Sequence, residues 1–444
     1  MTTEFLSLES LLSFYADRGV EKVYIKRLAA NDNSKNQVYF GPGFNVLNLF
    51  PIGDIVPDSD KSDPIFKAAL PLLWIGDDKT LVSAPAAQII LYPQYPEIRF
   101  SGFLKGAAKL QMEKTRALMT SRVVGRVLFM GVDEKAGQVI ASVFSPESSV
   151  SQQFAKMVAV LTKATDIFYE LLTSKVTTLQ LDSRLKLLQE LCRIHRLGWI
   201  DSKRLDKSGA QIACTASQCG GYTLEAEFEI TPNARSEPDY LGWELKQYAG
   251  NVLTLMTPNP TGGFYRDHGA EQFVRTYGYA AKSGQSDRIN FGGTHYCEKK
   301  HLSTGLTLKL SGYDNTKKAI VDAAGGIELV TASGVVAASW AFAGILGHWA
   351  RKHQKAAYIP SQHRTEPSNQ YQYKKNVLLC VGTDPLLVIE AISQQKIYYD
   401  PGIKLEKAST QNSTLKTRSQ FRVAFKNLGG LYHTVQPEDV STYC

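Results

Sequence analysis

No stretch of the 444-residue sequence reaches the roughly 18 consecutive apolar residues of a membrane helix, so a helical membrane span is not expected. The opening Met-Thr-Thr-Glu-Phe lacks the basic start and apolar core of a secretory signal, which makes the cytoplasm the expected location. Cysteine is scarce. The six present (Cys192, Cys214, Cys219, Cys297, Cys380 and Cys444) are scattered and form no CxxC pair, so free thiols are expected and a standard zinc site is not. There is no internal repeat and no long low-complexity segment. Residues 1–150 hold no pattern of a nucleophile, an acid pair or a phosphate loop, so catalysis is not expected there.

What is present is an ordinary globular composition, 43% hydrophobic and 21% charged, long enough for two or three domains. The net charge is +8, and its distribution is uneven. Up to residue 180 there are 19 Lys+Arg against 18 Asp+Glu, which leaves 31 against 24 for the remainder. A basic excess in the C-terminal part suits a polyanionic partner, although the total is also ordinary for a soluble protein.

Short β-like runs separated by turn signals fill residues 1–150, among them "EKVYIKRLA", "ALPLLWIG" and "GRVLFMGVD". They predict a β-rich N-terminal domain. From 151 to 198 apolar residues recur every three to four positions, predicting a helical connector. Residues 199–444 read as a mixed α/β body with strands near 305–311 and 327–330 and a long helix near 335–356.

The most informative segment is "PDYLGWELK", residues 238–246. Along a strand, Glu244 and Lys246 point to one face while Leu245 turns to the other. Asp239 and Glu244 can share a hard cation such as Mg²⁺, which takes oxygen ligands, waters and substrate phosphate. Lys246 beside them can orient or help deprotonate water, or stabilise charge on a phosphoryl group. An exposed strand with a Glu–Lys pair fits the same letters. The apolar neighbours Tyr240, Leu241, Trp243 and Leu245 favour a buried strand, where carboxylates need compensation.

The longer stretch "GGYTLEAEFEITPNARSEPDYLGWELKQ" resembles the core of the MvaI/BcnI family of type II restriction endonucleases, PD-(D/E)XK nucleases akin to the mismatch-repair nickase MutH. The resemblance runs from about residue 185 to the end. It implies a PD-(D/E)XK restriction-endonuclease-like fold, double-stranded DNA as partner and Mg²⁺ as cofactor. It also implies metal ligation by Asp239 and Glu244, catalysis by Lys246, and a supporting helical acid at Glu225. A capping-region glutamate near a helix start would equally suit Glu225, and Glu227 and Glu229 keep that choice open. The implied activity is a DNA endonuclease of restriction or anti-phage defence that nicks one strand per encounter. A repair-type nickase and a DNA-binding regulator without turnover are the alternatives.

Two segments could grip DNA. In "LKTRSQFRVAFKNLGGLYHTV", Lys416, Arg418, Arg422 and Lys426 interleave with Phe421, Val423 and Phe425, and an arginine fork there could read guanine as well as phosphate. In "AASWAFAGILGHWARKHQKAAY", Phe342, Ile345, Leu346 and Trp349 form a core stripe while His348, Lys352 and Lys355 fall on another face. Solvated basic faces and helix-dipole compensation explain both patterns as well. Arg266, Asp267 and His268, beside a Gly-Gly turn, read as the cap of a helix starting at Ala270, with a DNA-facing loop as the alternative. "YPQYPEIRFSGFLKG" sets Arg99 and Lys105 among aromatics, a composition of core and surface that also suits contact with DNA or with a phosphorylated or modified partner, and the domain as a whole could add a DNA reader, a regulatory element or a self-association module.

Overall fold

The computed structural model describes all residues except 1–4, 31–35, 59–63, 174–176, 217, 232–237 and 282–286, and leaves the side chains of 177–182 undescribed. The expected lead-in to Asp239, residues 232–237, therefore lies outside the described residues. The chain divides into two compact units, one reaching Leu185 and the other formed by Lys186–Cys444.

The first unit is strand-rich. A seven-stranded sheet sets Lys22–Leu28 between Tyr169–Leu172 and Arg126–Asp133 and continues through Gln138–Phe144. Its Val23, Ile25, Val127 and Phe129 face a core with Leu11 and Tyr15 of the Leu8–Ala16 helix and Phe154 of the Ser149–Met157 helix. By the two-residue period of a strand, Tyr24, Lys26 and Leu28 face the opposite way. There Tyr24 meets Phe50 edge-on, and Phe40 of a second, five-stranded sheet stacks on Phe100. The expected helical connector is interrupted by strands, since Thr162–Lys163 and Tyr169–Leu172 complete the first sheet. In "ATDIFYELL" the apolar residues also satisfy a two-residue period, and Thr173, buried against Val20, ends the strand.

The second unit combines helices with several sheets. Its central sheet runs Ile200–Asp201, Gln370–Tyr373, Lys355–Arg364, Asn376–Val381, Thr434–Asp439. The strand Glu244–Tyr248 joins it in parallel, pairing Glu244 with Ala356 and Lys246 with Tyr358. Leu245 packs with Leu187, Leu191, Leu224, Ala357 and Leu379 in the core.

Two expectations need correction. The long helix is only Phe342–Lys352, preceded by the strand Val336–Ala341. His353 stops it by stacking on Trp349 at 3.8 Å and bonding Tyr432 Oη at 2.9 Å, so Lys355 opens a strand rather than extending the cationic helix face. The cysteines are not all free: Cys192 is joined to Cys444 and Cys214 to Cys219, with Cα atoms 5.7 and 5.8 Å apart. The first pair is 252 residues apart in sequence, a separation that spacing rules cannot reveal. Cys297 and Cys380 remain free and buried.

Candidate active site

The strand carrying Glu244 and Lys246 begins later than the sequence predicts. Tyr240 and Trp243 exchange backbone hydrogen bonds of 2.9 and 2.8 Å around Leu241 and Gly242, whose φ values are 47° and 81°. Two successive left-handed residues make the primed turn that joins antiparallel partners. This turn folds Asp239 back, and Asp239 Oδ2 accepts the Leu245 N–H at 2.9 Å. Asp239 is thereby held beside the first residues of the strand without belonging to it.

Glu244 is 2% exposed and its Oε1 receives Lys246 Nζ at 2.5 Å and Lys352 Nζ at 3.5 Å. Its Oε2 is buried with no hydrogen-bond partner among the described residues. An anionic oxygen left so is costly, by about 1–3 kcal/mol or more, unless something else satisfies it. Lys246 loses hydration, which pulls its ammonium down, but Glu244, Asp239 and Glu225 together outweigh that and hold it above the usual lysine range. It is a cation here, with 24% of its side chain open to solvent.

Glu225 comes from the short helix Cys219–Glu227, which approaches the strand closely because residue 220 has no side chain. A Cβ there would lie 2.7 Å from Gln247 Oε1 and 3.0 Å from the Tyr371 ring. Tyr373 Oη also donates to the Gly220 carbonyl at 2.7 Å. Glu225 sits in the last turn of the helix, not at its start, so dipole compensation does not explain it. Burial and then the like charges of Asp239 and Glu244 push its carboxyl up to about 7, against the pull of Lys246 and Lys352. Asp239 is raised by burial and Glu244 in the same way. Glu227 belongs to another group, bonded to Lys203 at 2.6 Å and Arg193 at 3.3 Å. Glu229 is exposed.

Asp239, Glu244, Lys246, Glu225 and Lys352 thus form one electrostatic cluster. Lys352, expected on a phosphate-facing side of a helix, contacts Glu244 instead; the two are 108 residues apart, and no local pattern in the sequence announces the pairing. Burial, then Lys352 and Lys246, lower the His348 imidazole to about 4, so it is a neutral ring at neutral pH.

The tail residues lie on two different sheets. Lys416 ends the strand Thr414–Lys416 and pairs with Glu406 at 3.0 Å, and Arg418 follows it exposed. Arg422 lies on Phe421–Ala424, where the predicted alternation holds, with Phe421 and Val423 buried; its Nη1 is tied to Asp400 at 2.7 Å. Lys355 Nζ lies 5.8 Å from the Trp243 ring centre. Among the described residues no three His, Cys, Asp or Glu side chains form a ready cation cage. His295 and His301 stack at 4.3 Å and both reach Thr304 Oγ1. The Arg266–His268 segment precedes a kink at Gly269, with the regular helix resuming at Ala270.

A parallel strand that brings Glu244 and Lys246 to a mixed sheet, with a turn holding Asp239 beside them and a helix adding Glu225, is in keeping with a restriction endonuclease fold. The family profile described as the MvaI/BcnI restriction endonuclease family matches residues 188–432, and the chain belongs to that family of DNA-cleaving hydrolases. Among solved structures it is similar to restriction endonuclease MvaI in complex with its cognate DNA substrate, with 18% identity and a TM-score of 0.44 over 58% of this chain and 98% of that one. MvaI in the absence of DNA matches over the same shares at 15% identity and a TM-score of 0.31. No curated protein matches the chain.

Proposed function

We propose that this chain is a Mg²⁺-dependent endodeoxyribonuclease of restriction or anti-phage defence, hydrolysing phosphodiester bonds of double-stranded DNA one strand per encounter. The observation that carries the reading is the convergence of Asp239, Glu244, Lys246 and Glu225, with the buried Glu244 Oε2 lacking a partner among the described residues. That oxygen and the Asp239 carboxylate suit a hard cation that keeps waters and takes substrate phosphate, which needs only one or two protein carboxylates. Mg²⁺ bound there would polarise the phosphate and acidify a water. Lys246, kept charged by its acidic neighbours, stabilises negative charge gathering on the phosphoryl oxygens, and Lys352 adds a second cation to the same place. Glu225, near 7, is half-protonated at neutral pH and suited to accept a proton from water.

For DNA contact the exposed Arg418 is the best-placed tail residue, while the ties of Lys416 to Glu406 and of Arg422 to Asp400 make those two weaker candidates. Lys355 stays a candidate, and Lys352 and His348 are reassigned to the surroundings of Glu244. In this reading residues 186–444 form the nuclease, and the part before them a recognition or regulatory domain. One active site per chain accounts for single-strand cutting. Supercoiled plasmid incubated with Mg²⁺ should pass through the open-circular form before the linear one, and EDTA should stop it. Absence of cutting with any divalent cation would overturn the enzymatic reading; direct appearance of linear DNA would overturn only sequential nicking.

A further inference from the structure

Within the first unit, a cleft of about 250 Å³ opens between the face of Lys22–Leu28 turned away from the helices and the edge of the strands Val38–Pro42 and Glu97–Ser101. Lys26 lies on its wall. It is only 8% exposed, yet its ammonium has no hydrogen-bond or ion-pair partner among the described residues; the centre of the Tyr39 ring lies 6.0 Å away. Burial alone lowers Lys26, to about 8, with no carboxylate acting on it, so it carries a positive charge at neutral pH. A lysine placed this way on a sheet's inner face opposes folding unless it serves a ligand.

The remaining walls narrow the ligand. Arg126 is 1% exposed, and its guanidinium donates to the carbonyls of Val123, Leu118 and Ala29, so three of its five N–H donors are taken and it adds positive charge to the wall. Arg99 bonds Glu97 at 2.6 Å and Gln37 at 3.3 Å; that carboxylate keeps an anion away from Arg99 and toward Lys26. Leu28, Val38 and Met119 make part of the lining apolar, and Tyr39 is 40% exposed beside it. The cleft therefore suits an anionic head with a flat, partly apolar body. A bare phosphate would leave the apolar walls uncovered, and a helix or strand of a protein partner is too large.

We infer that this cleft binds a single nucleotide unit, with Lys26 on its phosphate and Tyr39 against its base. The assignment is independent of cutting in the other unit. A free mononucleotide and one unit of a nucleic-acid strand present the same chemistry. Aromatic stacking of bases and lysine contact with phosphate are both standard in nucleic-acid binding.

The full-length protein in EDTA should be titrated by calorimetry with deoxynucleoside monophosphates, deoxynucleosides and inorganic phosphate. Monophosphates should bind saturably, and the two fragments about tenfold or more weakly. Lys26→Met and Tyr39→Ala should each weaken the monophosphate by about tenfold or more. The methionine variant removes a buried charge and should unfold at no lower temperature than the parent. Duplexes and single strands carrying 2-aminopurine then identify the source: a fluorescence rise that Lys26→Met abolishes shows a strand unit in the cleft, and no rise beside intact monophosphate binding shows a free nucleotide. Either result supports the site. No saturable binding at millimolar nucleotide, or equal binding by Lys26→Met and the parent, would overturn it, whether or not the protein cuts plasmid.

Discussion

Asp239 has two duties that one substitution can separate. Its Oδ2 fastens the turn to Leu245 N–H, and its charge belongs to the acidic cluster. Asp239→Asn keeps an acceptor for the backbone and removes the charge, so cleavage should fall by roughly 10²–10³-fold or more while DNA binding is retained or slightly tightened. Lys246→Ala should likewise stop cleavage and leave binding largely intact. Full activity in either variant, measured on plasmid beside a filter-binding assay, would refute their assigned roles. Glu225 gives a pH test. Its folded value, about 7, lies above the ordinary 4.5, so its neutral form supports the fold at low pH and that support is lost as pH rises through 7. Without metal, Glu225→Gln should therefore raise stability at pH 8 by an amount of order 3 kcal/mol and change little at pH 4. Equal melting temperatures of parent and variant at pH 8 in EDTA would show that the acid is not buried among like charges.

At the scale of elements, strand periodicity made the site partly legible. It correctly placed Glu244 and Lys246 on one face and Leu245 in the core, and helical periodicity found Phe342, Ile345, Leu346 and Trp349. Boundaries were hidden because they depend on distant partners. His353 ends its helix through Trp349 and Tyr432, and Tyr432 lies 79 residues further along. The stretch before Glu244 reads as strand because Tyr240 and Trp243 are aromatic, yet Leu241 and Gly242 turn it back. Leu241 is half exposed and held at positive φ, a conformation that disfavours leucine and suits asparagine. Leu241→Asn should thus stabilise the protein by about 0.5–1 kcal/mol without loss of cleavage. A lower denaturant midpoint would mean that leucine packing outweighs backbone strain.

For the whole molecule, the division near residue 185 separates the acidic cluster from the Lys26 cleft. A fragment from residue 186 onward should fold alone and bind Mg²⁺ and DNA, seen as a cooperative melt and a gel shift. If the missing part restrains the enzyme, the fragment will cut more substrates; if it reads DNA, the fragment will bind its preferred site less tightly and tolerate altered sites. An insoluble fragment would show that the halves fold as one cooperative unit. The long sequence separations also explain what spacing could not show, since Lys352 reaches Glu244 and Cys444 reaches Cys192 only after the chain has closed on itself.

The parallel pairing of Glu244–Tyr248 with the Lys355–Arg364 strand has a consequence for the order in which the protein is made. Until residues 355–364 leave the ribosome, Glu244 and Lys246 lie on a segment without its strand partner. Pairings of such long separation form late because loop closure must precede any stabilising contact. A nascent chain that ends between Lys246 and residue 355 carries every acid of the cluster but lacks the strand on which Glu244 and Lys246 pair. The capacity to cut would arise only after residues 355–364 have been made, so translation products that stop before them would lack the assembled cluster.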